Sequence, residues 1–141
     1  MTRPTTQTVP GHDGAPLAVH RLGSGRPVIL LHGLFSSAEV NWIKYGFEAI
    51  MPDLRAHGQS GAPHDPEAYP EDVLVKDLNA VIATLDIGEF DLVGFSLGAR
   101  TAARAVTTGL APRRLVLAGM GLEGLSQWGR RLDFFLDFIA R

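Results

Sequence analysis

The chain of 141 residues has no cysteine. That excludes disulfides, thiolate metal sites and a cysteine nucleophile together. It has little charge of either sign in excess: the formal net charge is -2 and charged residues make up 20%. No basic surface is implied, so a nucleic-acid backbone is not an expected partner. No apolar run approaches the roughly 20 residues needed to span a bilayer, so no membrane partner is expected either. The first residues, MTRPTTQTVPGHDG, lack the apolar core of a signal peptide, and the expected location is the cytoplasm. Repeats and low-complexity segments are also lacking. What remains is an ordinary globular composition, 45% hydrophobic, of a length suited to one domain.

Glycine (16) and proline (9) fall between apolar runs, where turns belong. Gly11-His12-Asp13-Gly14 and Gly23-Ser24-Gly25-Arg26-Pro27 read as loops around a short strand from Leu17 to Leu22, with Thr6 to Val9 as its hairpin partner. Val28-Ile29-Leu30-Leu31 is apolar without alternation, which predicts a strand buried on both faces of a parallel sheet. Ala49-Ile50-Met51, Phe90 to Phe95 and Leu115-Val116-Leu117-Ala118 are three further runs of this kind. Between them, Leu74, Leu78, Val81 and Leu85 form one helical stripe, opened by the acidic Pro70-Glu71-Asp72. Leu97 to Thr107 is rich in alanine, as suits a helix packed closely on a sheet. Strands alternating with helices predict an α/β fold with a mostly parallel sheet.

Three segments carry chemistry. Gly94-Phe95-Ser96-Leu97-Gly98 follows an apolar strand and opens the alanine-rich helix. The string alone is weak, but a strand-turn-helix context is what a nucleophile elbow requires. A tight turn there would expose the Ser96 hydroxyl, and glycine two residues before and two after avoids a collision. His32-Gly33-Leu34-Phe35 directly follows the Val28 to Leu31 strand; a backbone N–H from this loop and that of Leu97 could face a developing oxyanion. Asp53-Leu54-Arg55-Ala56-His57-Gly58-Gln59-Ser60 reads as structural: Asp53 and Arg55 would pin the loop, and His57 would make a fixed hydrogen bond.

In order and context these segments, HGLF, DLRAHGQS and GFSLGA, resemble those of the N-terminal half of an α/β-hydrolase, a likeness covering about residues 15 to 141. The resemblance implies Ser96 as nucleophile and the N–H groups of Leu34 and Leu97 as oxyanion donors, with Gly33, Gly94 and Gly98 as loop and elbow glycines. It implies Phe35 and Phe95 in an apolar substrate pocket, no metal and no cofactor. It also implies a partial α/β-hydrolase sheet in residues 1–121 and the beginning of a helical cap in residues 122–141, where Trp128, Leu132, Phe135, Leu136 and Ile139 make a helical stripe. The function implied is hydrolysis of a small ester or related carbonyl substrate through an acyl-enzyme on Ser96. Serine at 96 separates the chain from the haloalkane dehalogenase and epoxide hydrolase branches, which use a carboxylate. It leaves C–C bond hydrolases and cofactor-free haloperoxidases open.

Two departures stand out. The family's triad runs Ser, then Asp or Glu, then His, but all five histidines here (His12, His20, His32, His57, His64) precede Ser96. Glu123 lies where some family members carry the acid and is not taken for it; Asp133 and Asp137 are read as solvated. The chain alone is therefore expected to be inactive, with the fold completed by a C-terminal half or a second chain. The alternative is a non-catalytic module that binds a ligand. A nucleotide-binding domain is disfavoured, since Gly23 to Pro27 precedes its strand and lacks G-x-G-x-x-G. The second departure is the short span from His32 to Asp53. Trp42 to Gly46 reads as a helix start and Phe47 to Ile50 as strand entry, with about ten residues missing between Gly46 and Phe47.

Overall fold

The computed structural model describes residues 3–42, 49–122 and 124. The helix start expected at 43–46, the Gly46/Phe47 junction, Glu123 and the apolar stripe from 125 to 141 lie outside the described residues.

Among the described residues, six strands form one sheet: β1 (Thr5–Pro10), β2 (Pro16–Leu22), β3 (Val28–Leu31), β4 (Ala49–Pro52), β5 (Asp91–Phe95) and β6 (Arg114–Ala118). Their order is β1-β2-β4-β3-β5-β6. The β1-β2 hairpin and the β2-β4 pair are antiparallel; β3 pairs in parallel with β4 and β5, and β5 with β6. Strands β3 and β4 are the most deeply covered, as their unbroken apolar runs predict. Strand β6 ends the order, and Leu115 and Val116 on it are exposed.

Among the described residues, three α-helices accompany the sheet: α1 (Ala38–Asn41), α2 (Val73–Thr84) and α3 (Leu97–Thr107). Helix α2 lays Val75, Leu78 and Val81 into a core shared with Leu17, Val19, Ile29, Leu31 and Leu92. Each such side chain contributes about 1.5–3 kcal/mol by leaving water. Helix α3 packs through Ala99, Ala102 and Ala105, all fully buried, so small side chains bring the helix close to the strands.

The structure adds detail at two helix starts. A helix already begins at Ala38, ahead of the helix start read at Trp42 to Gly46. Ser37 caps it by accepting the Val40 N–H, and Trp42 lies at its C-terminal end. Asp72 stands at the N-cap of α2 but makes no cap hydrogen bond. Its carboxylate takes the Arg104 guanidinium instead, at 3.0 and 3.2 Å, because a charge-assisted pair outweighs a neutral N–H.

Arg55 ties the front of the molecule together. Its side chain is fully buried, and all five of its N–H donors have acceptors. Nε and Nη2 bond Asp77 at 2.8 Å each; Nη1 and Nη2 bond Asp13 at 2.6 Å each; Nη1 also bonds the Ala68 carbonyl at 2.9 Å. The hydrogen bonds that Arg55 donates to Asp77 and Asp13 raise its pKa further. Among the described residues, His12, Asp13 and Asp77 are the one group of ligand-type side chains close enough to share an ion. The guanidinium already supplies the positive charge there.

The Arg55 hydrogen bonds hold the Asp13 carboxyl well below the usual carboxylate range. With a folded pKa below the unfolded value of about 3.9, the unfolded chain binds more protons in acid. The Asp13 contribution is complete above that unfolded value and is lost as pH falls through the folded one. Asp13→Asn is therefore expected to flatten the acid limb of the stability curve below about pH 4. Urea midpoints collected from about pH 2 to 6 would show it; parallel acid limbs for the two proteins would contradict it.

Among the described residues, no helix is long and apolar enough to cross a membrane.

Candidate active site

The sheet order builds the site. From β3 the chain moves to β4 on one side and later to β5 on the other. The ends of β3 and β5 therefore form a switch point, the crevice where open α/β sheets bind ligands. The register Leu31↔Gly94 sets the two strand ends level, so the loop after β3 and the turn after β5 emerge together.

Ser96 occupies that turn with φ 51 and ψ -110, between β5 and the first residue of α3. A residue with a side chain rarely adopts this conformation, and holding it costs about 1–3 kcal/mol. Its neighbours enforce it: the Ser96 N–H donates to the Ala118 carbonyl at 2.8 Å, and its own carbonyl accepts the Arg100 N–H at 3.1 Å. The motif glycines are explained sterically. A Cβ on Gly94 would overlap the Gly98 carbonyl, and one on Gly98 would overlap the Leu31 carbonyl at the end of β3. The strand and helix could not cross this closely with any larger residue.

This strain makes a prediction. Ser96→Gly and Ser96→Ala both lose the hydroxyl, but only glycine accepts positive φ freely. Even after its greater flexibility when unfolded, Ser96→Gly is expected to be more stable than Ser96→Ala by about 1 kcal/mol. Equal urea midpoints would mean that the turn is unstrained.

The loop after β3 lies against the turn. A methyl group on Gly33 would sit 3.5 Å from the Ser96 Cβ and 3.2 Å from the Phe95 ring. His32, fully buried, fixes this loop. Its Nε2 accepts the Leu54 N–H at 2.9 Å, so the proton resides on Nδ1, which donates to the Gly33 carbonyl at 2.7 Å. Burial lowers its pKa below the ordinary 6.5, although the Gly33 carbonyl opposes the shift. His32 is thus a neutral structural group. Phe35 follows with φ 54 and is 68% exposed, and Phe95 is 41% exposed. Of the four described non-glycine residues with positive φ, Phe35 and Ser96 thus belong to these two neighbouring turns.

The first bond within α3 runs from the Arg100 N–H to Ser96, so the N–H groups of Leu97, Gly98 and Ala99 precede it at the positive end of the helix. Leu97 adjoins Ser96 in the chain, and Leu34 follows Gly33. The fold therefore brings Gly33, Phe95 and Ser96 together at the ends of β3 and β5, with Leu34, Gly94, Leu97 and Gly98 adjoining them in the chain. Among the described residues, no histidine or carboxylate hydrogen-bonds the Ser96 hydroxyl.

The segment after β4 supports the crevice from behind. Asp53 is 1% exposed. Its carboxylate accepts the Ala38 N–H at 2.7 Å, the Gln59 N–H at 2.8 Å and His20 Nε2 at 3.1 Å. His57 donates from Nδ1 to the Arg55 carbonyl at 2.8 Å, the fixed hydrogen bond expected of it. Gly58, at φ 52, leaves room for the Asp53 carboxylate, which a Cβ there would strike. The segment pins loops, as the sequence reading held. Asn41 was missed: its Oδ1 accepts the Gly33 N–H at 2.9 Å, a contact that no motif signals.

Residues 26–129 match the alpha/beta hydrolase fold family. The chain is 40% identical over 94 residues to the AB hydrolase superfamily protein YisY of Bacillus subtilis, covering 62% of this chain and 34% of that protein. It is 32% identical over 129 residues to N-formylmaleamate deformylase of Pseudomonas putida, covering 84% of this chain and 47% of that one. Among solved structures, a putative aryl esterase from Burkholderia cenocepacia superposes with a TM-score of 0.68 at 33% identity, over 74% of this chain and 42% of that chain. Epoxide hydrolases and non-heme chloroperoxidases are also similar. The chain thus spans less than half the length of these relatives.

Proposed function

The chain belongs to the α/β-hydrolase fold family, and from that premise we propose that it carries the nucleophile and oxyanion-binding part of a serine hydrolase acting on a small ester or related carbonyl compound. One observation carries the reading: Ser96 is held at φ 51 and ψ -110 where β5 enters α3, beside Gly33 at the switch point of the sheet. In this reading the Ser96 oxygen attacks the acyl carbon, and the carbonyl oxygen becomes an oxyanion. The N–H groups of Leu34 and Leu97 stabilise that charge. An Asp-His pair, supplied from outside the described residues, takes the serine proton and delivers it to the leaving group. Water then releases the acyl group from Ser96. These steps call for no cofactor.

Serine at the elbow favours this chemistry over a carboxylate nucleophile. Phe35 and Phe95, both partly open to solvent, suit the apolar part of a small acyl substrate. The likeness to a putative aryl esterase and to a deformylase supports a carbonyl substrate.

The test is hydrolysis of p-nitrophenyl acetate and butyrate by the protein expressed from its native gene. Release of p-nitrophenol above the blank, saturating with ester, is expected. Saturable binding of such esters without turnover would instead identify a ligand-binding module.

A further inference from the structure

Gly33 is held at both of its backbone groups. Its N–H donates to Asn41 Oδ1 at 2.9 Å, and its carbonyl accepts His32 Nδ1 at 2.7 Å. In a trans peptide the C=O and the following N–H point in opposite directions. With the Gly33 carbonyl turned onto the His32 ring, the Leu34 N–H points away from that ring. The orientation of this one peptide plane therefore decides where the Leu34 N–H is aimed.

Glycine cannot hold such a plane unaided, because it has no side chain to restrict φ and ψ. His32 restrains the plane after Gly33. Asn41 restrains the plane before it. Asn41 is itself fixed at the end of α1, where its N–H donates to the Ser37 carbonyl at 3.1 Å. The first N–H of α1, that of Ala38, is anchored on the buried Asp53 carboxylate. A rigid strut thus runs from Asp53 through α1 to Gly33, ending next to Ser96.

We propose that Asn41 is a positioning residue that locks Gly33 through its amide and so keeps the Leu34 N–H aimed at the oxyanion formed on the Ser96 adduct. The inference rests on the serine-hydrolase reading. Asn41 need not touch the substrate; it acts on charge stabilisation, which develops only as the reaction proceeds. Its loss therefore slows the covalent step and leaves initial binding alone.

The experiment uses the protein expressed from its native gene and an alkyl fluorophosphonate, whose phosphoryl oxygen enters the same donors. Saturation kinetics separate the labelling rate constant from the initial binding constant. Asn41→Leu, similar in size without an acceptor, is expected to lower the rate constant about tenfold, less than the 10²–10³ for removing a donor outright. Initial binding should change less than about twofold. Asn41→Asp keeps the accepting oxygen and is expected to stay within about threefold of the parent rate. A parent rate in Asn41→Leu overturns the proposal. An equal loss in Asn41→Leu and Asn41→Asp also overturns it, since the effect would then lie in the packing of α1. If the parent protein itself takes no label, the serine-hydrolase reading fails, and this proposal with it.

Discussion

Ser96→Ala is expected to lower the hydrolysis of p-nitrophenyl acetate by about four to six orders of magnitude. The lesion should be purely chemical. The Ser96 hydroxyl makes no capping hydrogen bond on α3, so its removal orphans no backbone group. Alanine has the same Cβ as serine and inherits the same backbone strain. The urea midpoint should therefore shift by no more than about 0.5 kcal/mol, and the ester should still bind. A variant that retains more than about 1% of the parent rate would mean that another group attacks the carbonyl.

The largest effect on stability is expected at Asp77. Asp77→Ala removes both carboxylate oxygens that bond Nε and Nη2 of the buried Arg55 and also the acceptor of the His12 N–H. Asp13 remains on Nη1 and Nη2 but lies nearer the surface than Asp77, and Nε loses its acceptor. Breaking a buried pair by deleting one partner costs about 3–5 kcal/mol, because a desolvated charge loses its compensation. For a protein of ordinary stability this is a large share of the total. Asp77→Asn keeps the shape and one accepting oxygen, so it should fall between the parent and Asp77→Ala. Urea unfolding measures all three. Equal midpoints for Asp77→Ala and the parent would show that Arg55 gains nothing from being buried among carboxylates.

These two residues mark the reach of sequence reading. Ser96 was legible because its evidence is local: an apolar strand, a glycine on each side and an alanine-rich helix lie within about 15 residues. The six strands were legible for the same reason. An unbroken run such as Val28 to Leu31 reports its own burial. The role of Asp77 was not legible. It follows from the meeting of four segments at Arg55, with contacts spanning up to 65 residues of the chain, and a lone buried aspartate on a helix has no pattern of its own. Asn41 escaped for a similar reason. Its partner Gly33 is eight residues away, across a turn whose shape depends on Asp53. Helix α1 went unread although Ser37, a capping residue, stood in plain view. At Asp72 the acidic helix start was correctly located, but its carboxylate was drawn to Arg104, 32 residues away.

The strain at Ser96 and the support around Gly33 belong to one design. Backbone in a rarely populated conformation persists only where its surroundings over-determine it. Here β6 holds the Ser96 N–H, α3 holds its carbonyl, and the glycines admit the crossing. Across the crevice, His32 and Asn41 hold Gly33. Both turns are therefore held by the fold itself, the preorganisation that the proposed oxyanion donors require.

The central claim is that Ser96 is an activated nucleophile. The most direct measurement is the intact mass of the protein expressed from its native gene, before and after treatment with a fluorophosphonate, followed by peptide mapping. The account predicts a single adduct on Ser96 that is absent from Ser96→Ala. A folded protein that takes no adduct, or takes it on another residue, would contradict it.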